Sequence, residues 1–344
     1  MTPRLLEDVW FQVLALLALV SGLFVAARWL PGGGPAGSAA APSAPARPAP
    51  PGRGPWTVGK DGAFATVAAA VAAAGEGDTI VLQPGVYAES LELSKGVSLS
   101  GGGASRELVQ LASAGARTLR VAGVRVRLRG VTIVNTAAEG VAVEVAEGSL
   151  VLEKSAVSAA GLGVLLRDSE LEAADSALEG RLALSVEGRS SASLLRVKAS
   201  ASAAGIRVEG NQADLRLERT EVRGARGSAI EASRFAKVRL TEVALSGSGQ
   251  EGVAVRSGAE VRIVRSTLAE NGGCGISVDG GSISLERVRL LRQRCGVAFL
   301  GAGSLEAVDS EFKDLQLGAL AIRPGKEKDV VVRGSGNLGL DLSR

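Results

Sequence analysis

Residues 260–268 read EVRIVRSTL, residues 282–290 read SISLERVRL and residues 304–312 read SLEAVDSEF. In each, two apolar residues flank a polar one, and a third apolar residue follows five places on. The pattern puts Val261/Ile263/Leu268, Ile283/Leu285/Leu290 and Leu305/Ala307/Phe312 in equivalent places. Toward the N-terminus it fits Val238/Leu240/Leu245, Leu215/Leu217/Val222, Leu171/Ala173/Leu178, Leu150/Leu152/Val157 and Val126/Leu128/Ile133. A degenerate copy, with Ser193, Leu195 and Ser200 at the matching places, fills the gap between Leu178 and Leu215. Copies recur every 21 to 24 residues, a period that marks a repeat architecture. A second element runs in phase: a glycine before alternating apolar residues, at Gly140, Gly205, Gly252, Gly275 and Gly296. Apolar patches this short and this alternating are strands, not helices.

Several short strands per repeat with no helix between them describe one turn of a parallel β-helix, an all-β solenoid of about 22-residue coils. Leucine-rich repeats have a similar length but need an inner Asn or Cys in register, and only four Asn occur here. An antiparallel sandwich would not hold one phase over so many copies. The composition agrees: aromatics are 3%, with six Phe, three Trp and one Tyr, against 46 Gly. Stacked inward residues about 4.8 Å apart favour small aliphatics over rings. The in-phase glycines are expected at tight corners with positive φ. Phe64, Val67 and Val71 predict an amphipathic helix over Phe64–Ala74, placed to close the open first coil.

Three segments follow from composition. Val9–Leu30 is long and apolar enough to span a bilayer, with Trp10 and Trp29 near its ends. It is read as a single membrane anchor in preference to a secretory signal cleaved after Ala27, because Glu7 and Asp8 stand where a signal is basic. Residues 31–55, rich in Pro, Ala, Gly and Ser, form a tether with too little apolar surface to fold. Residues 56–344 are the β-helix.

From Thr57 the chain reads TVGKDGAFATVAAAVAAAGEGDTIVLQPGVYAESLELSKGVSLSGGG, to Gly103. This stretch resembles the opening of pectin-lyase-like right-handed β-helix proteins, pectinesterases among them. The resemblance implies the fold, and an activity drawn from lyases, hydrolases, esterases and epimerases of acidic polysaccharides, or none. The motifs that carry those activities do not transfer. Gly-His-Gly and Asp-Pro-His-Asp need histidine, of which the chain has none. The Gln-Asp-Thr, Val-Asp-Phe-Ile-Phe-Gly and Arg-x-Pro-x-x-Arg segments are missing too. No catalytic residue is therefore assigned, no metal ligand set and no cofactor.

Zero histidine also excludes Ser–His–Asp and Cys–His nucleophile systems. A net charge of +3, from 39 basic and 36 acidic residues, gives no reason to expect nucleic acid. The candidate ligand-binding set is basic. Arg216, Arg239 and Arg262 occupy the middle of the repeat element and should stack outward, with Arg219, Arg265 and Arg287 three places further on. Such a row suits an acidic polysaccharide or an envelope protein, or is neutralised by Glu218, Glu242 and Glu286 as a solubilising face. Glu147/Asp168 and Lys154/Asp175, each 21 residues apart, should stack on adjacent coils, the first as a proton-sharing or calcium-binding pair, the second as an ion pair; solvated turns are the alternative. Cys274 and Cys295, also 21 apart, are either a disulfide between coils or two buried thiols. The function expected is a membrane-anchored, extracytoplasmic binding surface without catalysis. The competing expectation is a polyuronate lyase or esterase working through carboxylates and Arg.

Overall fold

The computed structural model describes residues 56–340. The expected membrane span Val9–Leu30 and the tether lie outside them. Among the described residues no helix is long and apolar enough to cross a membrane.

Every ladder between strands is parallel, and the coils build two sheets. One has 13 strands, one from each turn, so that twelve turns separate its ends; the other has 20 strands. A typical coil runs through Asp214–Glu218, Glu221–Arg223 and Ile230–Ser233 before Lys237–Thr241 starts the next. The repeat residues face inward and stack. Leu215 pairs with Val238, Val238 with Val261, Val261 with Ile283 and Ile283 with Leu305, all at most 3% exposed. One continuous apolar core follows, in which each coil needs its neighbours to stay dry.

Three details of the sequence reading change. The degenerate copy sits one residue earlier: Ala192, Leu194 and Ala199 are buried and continue the stacks of Leu171, Ala173 and Leu178. Ser193, Leu195 and Ser200 are not inward, since a one-residue shift reverses every side chain in a strand. The helix is Val67–Ala73 rather than Phe64–Ala74. Thr66 sets its start by accepting from the Ala69 N–H, and the Glu89 carboxylate takes the Val67 and Ala68 N–H groups at 2.9 Å each. Phe64 lies before the helix, bridged to Val58 and packed on Trp56 at 5.5 Å between ring centroids.

The third change concerns glycine. Gly140, Gly205, Gly252, Gly275 and Gly296 are not among the positive-φ residues. A neighbouring element approaches them instead: a Cβ on Gly296 would lie 2.5 Å from the Ala319 carbonyl oxygen, and one on Gly252 2.7 Å from that of Gly275. The left-handed corners belong largely to charged residues. Lys154, Asp175, Arg196, Arg219, Glu242, Arg265, Arg287 and Asp309 hold φ between 47° and 56°, one per coil, each N–H bonded to the next coil.

Behind these corners runs a buried hydroxyl column that the apolar template does not contain. Ser176, Thr220, Ser266 and Ser310 each follow a left-handed residue and are at most 3% exposed. Each hydroxyl donates to the carbonyl two residues earlier, at 2.8–3.0 Å. Each also accepts the N–H of its counterpart in the preceding coil, at 3.0–3.3 Å. These bonds satisfy backbone groups that the corner would otherwise strand in the interior.

Candidate functional site

Alternation along the 13-stranded sheet turns every second residue to solvent. In Asp214–Glu218, Lys237–Thr241 and Glu260–Val264 the outward middle residues are Arg216, Arg239 and Arg262, all exposed. They are direct register partners in successive coils. The row continues outward through Ser284, Glu306 and Arg333. Carboxylates on the same face hold the arginines apart. Asp214 accepts two hydrogen bonds from Arg239, at 2.9 and 2.7 Å, and lies 3.6 Å from Arg216. Glu286 takes Arg262 at 3.1 Å.

Arg219, Arg265 and Arg287 belong to a different surface. They stand on the left-handed corner with φ of 49°, 47° and 54°, not on the sheet. Glu242 sits between the first two, at 3.0 Å from Arg219 and 3.3 Å from Arg265. Arg287 has no ion-pair partner among the described residues. The six arginines thus divide into a sheet row and a corner row.

The acidic pairs resolve differently from their spacing. Asp175 binds Arg196, at 2.6 and 2.9 Å, rather than forming an ion pair with Lys154. The corner geometry points successive long side chains along one edge, and the bidentate guanidinium wins over a point-charge ammonium. Asp168 does stack on Glu147 at the opposite corner, but it accepts from the backbone N–H and Nε of Arg189. Those bonds, the backbone one first, hold its carboxyl below the usual range, the reverse of what a shared proton does. Hydrogen bonds from Arg196 and from Arg219 likewise depress Asp175 and Glu242. Among the described residues no three His, Cys, Asp or Glu side chains converge as a metal site.

These depressed carboxylates give a pH dependence with a definite sign. Their stabilisation is complete above the ordinary carboxylate range, about 4, and is lost as pH falls through their lowered values. Melting temperature should therefore fall on acidification from about pH 5 to about pH 2. Asp175→Asn should flatten the low-pH part of that slope, by a small amount because the pair is exposed. An unchanged slope in the variant would show that the Asp175–Arg196 bond contributes nothing.

A groove of about 540 Å³ opens over five coils of the sheet face, lined by Lys237, Arg239, Glu260, Arg262, Glu306 and Arg333. Ser282, Ser284 and Ser304 form its floor between the charges. Lys237, Glu260, Glu306 and Arg333 make no ion pair among the described residues, so their charges are available in the groove. The repeat template reaches Arg239 and Arg262 but not Lys237, two residues before Arg239, nor Arg333, whose coil follows a longer spacing. Asp214 and Lys237 occupy one register column, and that alternation of sign was the available signal.

Cys274 and Cys295 are joined as a disulfide, with Cα atoms 4.4 Å apart. The two residues occupy equivalent places in adjacent coils, since Gly275 donates its N–H to the Cys295 carbonyl.

A family model described as a right-handed β-helix region matches residues 182–335. Among solved structures, the chain is similar to the A-module of the mannuronan C-5 epimerase AlgE4 from Azotobacter vinelandii. That similarity has a TM-score of 0.62 at 14% identity, over 79% of this chain and 89% of the module. Pectate lyase Pel9A matches with a TM-score of 0.52 at 12% identity, over 79% of this chain and 73% of the lyase. A tailspike protein from the Escherichia coli O157:H7 bacteriophage CAB120 matches at 0.54 and 8%, over 66% of this chain but only 38% of the tailspike. No curated protein sequence matches. At such identities the likeness is one of fold, and site chemistry has to be argued from the residues themselves.

Proposed function

We propose that this chain, which has the right-handed β-helix fold of the pectin-lyase-like superfamily, is a non-catalytic body that holds an acidic polysaccharide of the cell envelope. The groove over the 13-stranded sheet carries this reading: Lys237, Arg239, Arg262 and Arg333 face outward together among serines. Guanidinium and ammonium groups recognise carboxylates, and the serine hydroxyls suit sugar hydroxyls. The groove is open to solvent along its length. Five coils at about 4.8 Å per step give roughly 19 Å, enough to hold several sugar residues of a longer polymer. The superfamily's acidic-polysaccharide chemistry supports this ligand class, and the lack of any histidine supports the absence of catalysis. Val9–Leu30 anchors the body in the membrane, residues 31–55 space it away, and the β-helix faces the extracytoplasmic side, where the disulfide is stable.

One observation favours a second reading. Glu260 and Glu306 stand in the groove without ion pairs, beside Arg262 and Arg333, where a carbohydrate-active enzyme of the lyase or esterase type would need them. Incubating the full chain with pectate and with alginate separates the two. New unsaturated ends or reducing ends from these polymers, or methanol from methyl-esterified pectin, abolished by Glu260→Gln or Glu306→Gln, would establish the enzyme.

For binding, replacing Arg216, Arg239 and Arg262 together by Ala should weaken retention on an anionic-glycan column about tenfold, near 1.4 kcal/mol. The Lys237→Ala/Arg333→Ala pair should cost at least as much, because neither side chain is held in an ion pair among the described residues. Retention unchanged in both variants rules out the groove.

A further inference from the structure

Phe235 is out of place on this surface. It is 63% exposed and holds φ of 65°, a left-handed conformation that a bulky residue adopts only under constraint. Its neighbour Arg234 is also left-handed, at 54°, and is committed to Glu209 at 2.7 Å. The next coil has Gly258 at Phe235's position, because the Phe235 N–H donates to the Ser257 carbonyl at 3.0 Å. The ring lies against that glycine. A Cβ on Gly258 would sit 3.2 Å from the ring Cζ and closer still to Cδ1 and Cε1. The Cδ1–Cε1 side of the ring is therefore close to Gly258, and the ring remains largely in solvent. Two residues after Phe235 comes Lys237, and two after Gly258 comes Glu260; both line the groove. A glycine would fit the corner without strain, as it does one coil further on, and strain retained beside a binding groove points to a use for the side chain.

We infer that Phe235 is a stacking platform at the edge of the groove and that, with Lys237, it forms a subsite for one uronate residue. The inference rests on the groove reading given above. The C–H face of a pyranose ring is apolar and packs on the exposed face of the phenyl ring, shedding water from both. The sugar carboxylate then meets the Lys237 ammonium, which has no ion-pair partner among the described residues. A ring that breaks its C–H face with an axial hydroxyl stacks less well, so Phe235 determines specificity among acidic glycans.

The test uses the full chain in detergent with short oligogalacturonate and oligomannuronate as probes, read by saturation-transfer NMR and by affinity. At least one probe should bind, with transfer strongest at its ring C–H protons. Phe235→Ala should lose about tenfold in affinity together with that transfer pattern, and Phe235→Trp should keep both. Phe235→Gly should lose binding yet melt about 2 °C higher, because the corner strain is relieved. If neither probe binds the parent, the groove reading and this inference fall together. If the parent binds and Phe235→Ala binds equally, or Phe235→Gly melts lower, only the stacking role falls and Phe235 is structural.

Discussion

Gly205→Ala should destabilise the β-helix by about 3 kcal/mol or more, at or beyond the upper end of ordinary overpacking, and Gly224→Ala by only about 1 kcal/mol. The two positions separate the reasons for glycine. Gly205 has no positive φ, but a Cβ there would fall on the Ala229 carbonyl oxygen, 2.9 Å from its carbon and 3.0 Å from Val222 Cγ1. Backbone of the neighbouring coil cannot yield without breaking the ladder on both sides, since Gly205 and Ile206 donate to the Ser228 and Ala229 carbonyls at 3.1 and 2.8 Å. Gly224 has φ of 77°, and the nearest atom to its virtual Cβ is the Ala201 oxygen at 3.8 Å. Alanine there meets only left-handed strain, which Glu270, Arg292 and Asp314 already bear at the same corner in later coils. Urea unfolding of both variants checks the difference. Equal midpoints would mean that coil spacing relaxes around Gly205 and that close approach is not what selects glycine.

That contrast explains what was legible in the sequence. Inward stacking leaves a strong trace, because an apolar residue must recur at each coil or the core floods; the eight clear copies of the template all lie where the structure buries them. The degenerate copy misleads by one residue because Ala192 and Ala199 are small enough to read as neutral while Leu195, partly buried, reads as core. The hydroxyl column leaves almost no trace. Ser and Thr share it with Val131, Val197, Val243 and Val288, which fill the same corner without the hydroxyl, so no single residue type recurs. The charged corners hide for another reason. A left-handed residue other than glycine costs about 1–2 kcal/mol even on an open surface, and ion pairs between coils, such as Asp175–Arg196 and Arg219–Glu242, offset part of it. Composition alone assigns glycine to corners, whereas here many of the glycines sit where space is missing.

The site was half legible for the same cause. Arg239 and Arg262 stand in the repeat template, so the row is visible as soon as the template is. Their neutralisation by Asp214 and Glu286 is not, because it depends on which outward residues of adjacent coils fall within reach. Lys237, the first residue of its strand, lies just upstream of the template, and Phe235 lies in the corner before it, whose length varies from coil to coil.

Reducing the Cys274–Cys295 disulfide should lower stability by about 3 kcal/mol, the loop-closure cost for a span of some 21 residues, and should do so unevenly. In a solenoid each coil contacts only its neighbours, so a staple protects the coils near it and not the whole body. The bridge stands close to the C-terminal end, where the core thins: Leu315, Leu320, Ile322, Val330 and Val332 are only partly buried, while Val253, Ile276 and Val297, in the coils around the cysteines, are fully buried. Opening that begins at these less buried coils meets the joined coils as its first strong barrier. With the bridge intact, amide exchange should be fast through Leu320–Ser335 and slow from Ile276 inward. In the Cys274→Ser/Cys295→Ser variant, protection should be lost as far as Val253 but kept over Val126–Leu178, the coils most distant from the break. The groove straddles this boundary, with Ser304 and Arg333 on the fraying side and Lys237 on the stable side, so the same variant should bind anionic glycan less tightly without touching a groove residue. Uniform loss of protection along the chain would show that the β-helix unfolds as one cooperative unit, and unchanged protection would show that the coils around Cys274 and Cys295 hold without the bridge.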